Sequence, residues 1–531
     1  MVDAMLRFRP TRIPHRVALA MALAAVLSAG RLPGSATASS RTVDAVANAR
    51  LTVEGGYGAA LAAVPNLTGD GRSALVIGLP YADVPGRTRA GVVHVVFATS
   101  RTGSVSIDDP ALRGFRIIGD PYYEAGMDVA AAGDVNGDGR GDILLSAPRH
   151  GVRCTSPTDG PCGYSSPGTA FVIYGTSDQA TIDLAHLSDS QGFAIKGVPG
   201  GPGTGGAELA GLSNFTGDGF SAVAVTGSQY TRDGLHYRSG AYVIYGGRHL
   251  GTVDLQDIGS RGFRITARDR SQNLLVSPAG RVNGDRRTDL LLDGPPNASV
   301  LFGARYHGTI STARLGRHGF TITGLARGSG LSMTGVGDLN GDRRSDLLIV
   351  RSEIAPDGLP PAEVDVVYGS SSTRTVALAR LGSRGFRIRP GPVASGHIMQ
   401  LGPVAALGDL NGDGRADLGI TALTYQPRGL GPHDGTVSVV FGAPFTAPLS
   451  LGDLGSAGYQ LSAATPPSPT PICGSAGNRL GSGLVALGDF SGSGAAEFAV
   501  GAPGLAPTPV SSGRPCGGST GEVLIEPPPA S

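Results

Sequence analysis

Gly133-Asp134-Val135-Asn136-Gly137-Asp138-Gly139-Arg140-Gly141-Asp142-Ile143-Leu144-Leu145 decides the fold, because variants of it recur six more times along the chain. Carboxylate or amide oxygens stand at loop positions 1, 3, 5 and 9 (Asp134, Asn136, Asp138, Asp142), and Gly137 and Gly139 at positions 4 and 6 let the backbone turn. That spacing suits a hard cation taking about six to eight oxygen ligands, and calcium is the natural occupant. An EF-hand loop would end on Glu at position 12. Here Leu145 stands at that place and an apolar β-type run follows at once, so the stretch reads as a metal loop inside a β-hairpin.

Working outward, the loop variants begin at Asn66, Asp134, Asn214, Arg281, Asp338, Asp409 and Asp489. Each follows a run rich in Gly and Ala, such as Val129-Ala130-Ala131-Ala132, as expected where strands crowd round an axis. Each precedes an apolar run, such as Leu347-Leu348-Ile349-Val350, which predicts a second strand. A third, alternating strand often ends on an aromatic residue and glycine, as in Phe171-Val172-Ile173-Tyr174-Gly175 and Tyr242-Val243-Ile244-Tyr245-Gly246. A fourth recurs as Gly114-Phe115-Arg116-Ile117 and Gly385-Phe386-Arg387-Ile388. The last unit lacks its fourth strand, but Ala49-Arg50-Leu51-Thr52-Val53-Glu54 near the start has that strand's character. The expectation is all-β: a seven-bladed β-propeller of four-stranded blades over 49–527, closed by the N-terminal strand. A short segment 39–48 precedes it and a tail 528–531 follows.

Composition agrees with many short strands and tight turns: 85 glycines, 5% aromatic and 16% charged residues in 531. Arg7, Arg9, Arg12 and Arg16 precede an apolar run from Val17 to about Leu27, and Ala36-Thr37-Ala38 offers a cleavage site, so residues 1–38 read as a secretory signal peptide. Its removal takes away Arg7, Arg9, Arg12, Arg16, Arg31 and Asp3 and moves the formal charge from +1 to −3. A near-neutral mature chain without a further apolar span argues against nucleic acid and a membrane span, and for a secreted, extracellular protein. Four cysteines then form disulfides; proximity favours Cys154 with Cys162 and leaves Cys473 with Cys516.

The pattern from Gly126-Met127-Asp128-Val129 through the quoted loop to Ser146-Ala147-Pro148 resembles the FG-GAP repeat of integrin α-subunit propellers and of bacterial secreted repeat proteins. The resemblance spans about residues 45 to 527 and implies calcium in the hairpins between first and second strands. Three loops carry the full set: Asp134, Asn136, Asp138 and Asp142; Asp338, Asn340, Asp342 and Asp346; Asp409, Asn411, Asp413 and Asp417. Arg140, Arg344 and Arg415 at position 7 would each add a main-chain carbonyl. Arg343 stands where glycine is usual. The other loops depart further. Ala74 and Ala222 replace the last carboxylate, Arg281 occupies position 1 with Asp285 or Asp289 as its expected ion-pair partner, and Asp489, Ser491, Ser493 and Glu497 retain oxygens with few charges.

Other motifs fall to simpler readings. In Arg140-Gly141-Asp142 the metal register already accounts for all three residues, and Gly517-Gly518-Ser519-Thr520-Gly521 lacks the strand-to-helix elbow that exposes a nucleophilic serine. Connections between second and third strands vary widely, for example Arg149 to Pro167 and Leu505 to Gly518, whereas the metal hairpins keep one length. Variable loops on a rigid scaffold are where binding usually resides. The functional expectation is therefore an extracellular binding or adhesion module whose ligand is a protein or cell-surface component. A secreted hydrolase or lyase and a lectin are the alternatives. The first lacks a catalytic constellation in the sequence, and the second lacks tryptophan for sugar stacking.

Overall fold

The computed structural model describes residues 40–42, 49–53, 60–148, 167–199, 209–230, 237–267, 274–294, 296–325, 332–352, 362–391, 398–425, 434–462, 481, 483–502 and 521–526. They build a seven-bladed all-β propeller. Blade 1 takes Ala60–Pro65, Ser73–Leu79, Val92–Val96 and Gly114–Ile118 in order outward, each strand antiparallel to the last. Blades 2 to 6 repeat this order from first strands Val129–Gly133, Leu209–Leu212, Leu275–Gly280, Ser332–Gly337 and Ile398–Gly408. Blade 7 takes Leu484–Gly488, Glu497–Ala502 and Gly521–Glu526, and its fourth strand is Ala49–Val53, running antiparallel from Ala49 opposite Ile525 to Val53 opposite Gly521. This sheet thus draws strands from both ends of the chain.

Each sheet has a fifth strand that the four-strand expectation omits. The connection from third to fourth strand of one blade swings out and lays two to four residues parallel to the outer strand of the preceding blade. Ile182–Asp183 of blade 2 lies beside Ile117–Ile118, and Thr309–Ser311 of blade 4 beside Arg264–Thr266. For blade 6 this place is taken by Ser40–Thr42, parallel to Gln460–Ser462, just upstream of the blade 7 strand from the same end of the chain. The extra strand covers an edge that would otherwise present unpaired N–H and C=O groups.

Side chains explain the ring. First strands of successive blades touch one another, and that of blade 7 touches that of blade 1. Their small residues, such as Ala131 and Ala210, permit this approach. Alternate residues of each second and third strand point to opposite neighbours, so the hydrophobic core is divided into seven clusters, one between each pair of blades. Between blades 7 and 1, Leu51 from the N-terminal strand packs with Ile77, Phe490 and Ile525 and is 2% exposed. The helical elements among the described residues are three-residue 3₁₀ turns, and none is long and apolar enough to cross a membrane. The segment 1–38 expected to be a signal peptide, all four cysteines with their expected pairings and the tail at 528–531 lie outside the described residues, as does most of the variable second-to-third connections.

Candidate metal centre

The hairpins between first and second strands all open on one face. In the Asp134 hairpin, Oδ1 of Asp134 accepts from the N–H of Gly137 at 2.6 Å and of Asp138 at 3.1 Å, while Oδ2 accepts from Gly139 at 2.9 Å. Asn136 Oδ1 accepts from Asp138 N–H and its Nδ2 donates to Asp138 Oδ2, at 3.0 and 2.9 Å. Asp138 Oδ1 accepts from Arg140 N–H at 2.8 Å. The same bonds recur for Asp338, Asn340 and Asp342 and for Asp409, Asn411 and Asp413. Each set is thus held at positions 1, 3 and 5 by its own backbone. Arg343 takes the turn normally left to glycine, at φ 66°, and its N–H bonds Asp338 Oδ2 at 2.6 Å. That bond offsets the cost of a left-handed residue with a Cβ.

Position 9 behaves differently. Asp142, Asp346 and Asp417 are fully buried, and each spends both oxygens on backbone N–H groups. Asp142 Oδ2 accepts from Val135 in its own hairpin and Oδ1 from Gly175 at the end of the third strand, both at 2.8 Å. Asp346 joins Leu339 to Gly369 and Asp417 joins Leu410 to Gly442 in the same way. The structure therefore brings positions 1, 3 and 5 together and turns position 9 into the blade. Among the described residues, no three His, Cys, Asp or Glu side chains are grouped to hold a metal ion. Burial pushes the Asp142 and Asp346 carboxyls up to about 7 against the backbone bonds, and the other two carboxylates of each loop push the same way. Asp417 is raised for the same reasons.

The donor chemistry fits a hard divalent cation. Each set offers two exposed or half-buried carboxylates and an amide oxygen on one short turn, and an ionised carboxylate has about four lone-pair sites, so the N–H bonds do not exhaust it. No comparable set survives at Arg281. Its expected ion pair is absent because Asp289 accepts from Asn283 and Gly303 N–H, and Asp285 from Arg287 N–H and Asn283 Nδ2. Burial also raises Asp289 to about 7. In the Asp489 hairpin, Glu497 Oε2 accepts from Ser491 N–H, the position 9 bond in longer form.

Two features of this face escaped sequence reasoning. The N–H at position 8 donates to the carbonyl at position 1 of the preceding hairpin, as in Ser221 to Asp134 (2.8 Å), Ser345 to Arg281 (3.1 Å) and Ala416 to Asp338 (2.9 Å). The side chain at position 7 lies over the position 4 glycine of that same preceding hairpin: a Cβ on Gly69 would stand 3.3 Å from Arg140 Nε, and one on Gly341 3.3 Å from Arg415 Nε. The sequence signal was the recurrence of Arg72, Arg140, Arg287, Arg344 and Arg415 at one register. The aromatic-glycine ending of third strands has its reason here too, since a Cβ on Gly175 would meet the Gly141 carbonyl oxygen at 2.5 Å and Arg140 Cβ at 2.7 Å.

Compared with known proteins, residues 125–171 match the family model of the FG-GAP repeat. These residues hold the Asp134 hairpin and its flanking strands. No curated protein matches the chain.

Proposed function

Taking the chain as the FG-GAP repeat protein that its matched repeat and seven blades fit, one resembling the N-terminal propeller of integrin α-subunits, we propose that it is a secreted, calcium-stabilised binding module whose ligand is a protein or cell-surface component. The observation that carries the reading is the threefold recurrence of one backbone-held oxygen set, at Asp134, Asp338 and Asp409, on a rigid ring. Calcium would be held there by Asp134, Asn136 and Asp138 and their counterparts, and would supply charge neutralisation to hairpins that otherwise crowd carboxylates. Its part is structural. The residues themselves hold the turns, and the buried position 9 carboxylates tie each hairpin to the third strand of its own blade.

Ligand binding is assigned to the second-to-third connections on the opposite face, whose lengths vary in sequence while the scaffold repeats. Calorimetric titration of the purified chain with calcium should show about three sites in the range of extracellular modules, near 10⁻⁴ to 10⁻³ M. Binding of labelled protein to cells and to glycan arrays, with wild-type and Tyr230→Ala, should locate the ligand surface. No heat of calcium binding defeats the metal half of the proposal. Unchanged cell binding after substitutions throughout those connections defeats the other half.

A further inference from the structure

Because strands alternate in direction, the third-to-fourth connections emerge on the same face as the metal hairpins, and their charges are unevenly dealt around the ring. In blade 4 the connection over 302–318 carries Arg305, Arg314 and Arg317 and no carboxylate. In blade 5 the connection over 368–384 carries Arg374, Arg380 and Arg384 and again no carboxylate. Blade 2 has the opposite balance, with Asp178, Asp183 and Asp189 over 174–191 and no arginine or lysine. In the hairpins, blade 4 replaces the first carboxylate by Arg281 and sets Arg286 against the exposed Asp285, blade 5 adds Arg343 beside Asp338 and Asp342, and the position 9 carboxylates beneath them, Asp289 and Asp346, are 0% exposed.

Seven of these guanidinium groups, on Arg281, Arg286, Arg343, Arg314, Arg317, Arg374 and Arg380, are exposed and make no ion pair with a described residue. Hairpin and connection lie within reach of each other, since the charged form of Arg384 in the blade 5 connection is disfavoured first by its burial and then by the charge on Arg344 of the blade 5 hairpin. Clustered like charges create a local potential even on a chain whose formal charge is only +1. We infer that this sector of blades 4 and 5 is a binding surface for an anionic polysaccharide.

Arginine presents a planar fork that matches two oxygens of a sulfate or carboxylate group, whereas a lysine is a point charge. The arginines are spread from the inner hairpins to the outer connections, which suits an extended polymer better than a small anion. Charge alone is on offer. The one exposed large hydrophobic side chain among the described residues is Tyr81, in blade 1, so this sector has nothing to insert into a bilayer and, the imidazole of His307 apart, no exposed ring on which bases could stack. The surface lies on the face opposite the second-to-third connections, so it goes beyond the protein or cell-surface ligand assigned to them and stands independently of it.

Heparin, a sulfated polysaccharide, is the probe. Wild-type full-length chain, Arg314→Glu/Arg317→Glu, Arg281→Glu/Arg286→Glu and the control Arg113→Glu/Arg116→Glu are titrated with heparin at fixed salt, and their melting is compared. All three double variants change net charge equally, and every substituted residue is exposed. The expected result is wild-type binding that weakens steeply with salt, a loss on the order of tenfold for each sector variant, and at most about twofold for the control. Equal losses in sector and control variants at unchanged melting, or no wild-type binding at low salt, overturn the inference. Tighter binding of duplex DNA or of phosphatidylglycerol vesicles than of heparin overturns it in favour of those partners.

Discussion

Replacing Asp142 by alanine tests how the buried position 9 carboxylate is linked to calcium. In the structure Asp142 accepts the N–H groups of Val135 and Gly175, and alanine leaves both unbonded inside the blade. Two buried donors without partners cost roughly 2–6 kcal/mol. Against this stands the carboxylate's own charging penalty, since its pKa is raised from 3.8 to about 7 in the folded chain. A raised acid means that stability is intact below the unfolded value and is lost as pH climbs toward the folded one. By pH 8 the loss reaches roughly 4 kcal/mol in the metal-free protein. Alanine removes that penalty too. In EGTA at pH 8 the two effects therefore offset, leaving a change within about 2 kcal/mol, and calcium beside Asp134 and Asp138 raises the cost of alanine by at most the roughly 0.4–1.4 kcal/mol that one occupied site contributes at millimolar concentration. At pH 5 in EGTA the carboxyl is protonated, and most of the alanine cost returns. A chain of this length loses roughly 1 °C of melting temperature per kcal/mol, so scanning calorimetry at pH 8 should show a change within about 2 °C in EGTA and a drop larger by up to about 1.4 °C with calcium, and at pH 5 in EGTA a drop larger by about 2–3 °C. The same drop in all three conditions would refute the coupling.

Other outcomes follow from the same geometry. Gly175→Ala drives a Cβ to 2.5 Å from the Gly141 oxygen and should lower the melting temperature by a few degrees, while Gly251→Ala, with open space around it, should not. Deleting residues 39–55 removes the strand opposite Gly521–Glu526, the strand beside Gln460–Ser462 and the buried Leu51, so unfolding in urea should shift to markedly lower concentration; an unchanged midpoint would show that this pairing does not hold the ring. At millimolar calcium each complete hairpin should add roughly 0.4–1.4 kcal/mol, and Asp413→Ala should remove that part of the calcium-dependent rise in melting temperature and leave the rest.

The repeat, the seven hairpins and the position of most strands could be read from the chain because each depends on residues close together: oxygens at fixed spacing in Asp134 to Asp142, and alternation in runs such as Phe171 to Ile173. The fifth strands could not. Ile182–Asp183 and Val376–Ala377 are two residues long, too short to carry a period, and their pairing depends on where a connection crosses the next blade. Position 9 was assigned by register alone, and its burial against Gly175 depends on a residue in another strand. The ion pair expected for Arg281 follows from charge, but backbone N–H groups reach Asp285 and Asp289 first.

The position 8 bonds give the three complete hairpins unequal standing. Asp338 gives its side chain to its own turn and its carbonyl to Ala416 of the next hairpin, at 2.9 Å, so the order of one site is passed to the Asp409 hairpin beside it. Blades 5 and 6 are therefore joined by two neighbouring complete sets that share a hydrogen bond. The Asp134 hairpin stands between hairpins ending in Ala74 and Ala222, and these use protein groups where the others offer carboxylates. Asn66 Nδ2 donates to Gly139 O at 2.7 Å, and Asn214 Nδ2 to Arg286 O at 3.0 Å, each reaching the following hairpin directly. An amide at position 1 can make that bond and a carboxylate cannot, because only the amide carries donors. Hairpins that lack the last carboxylate are thus fastened to their neighbours without a cation. Those that retain Asp at positions 1, 5 and 9 carry mutual repulsion that a cation would relieve, so the proposed calcium dependence falls chiefly at the joint between blades 5 and 6.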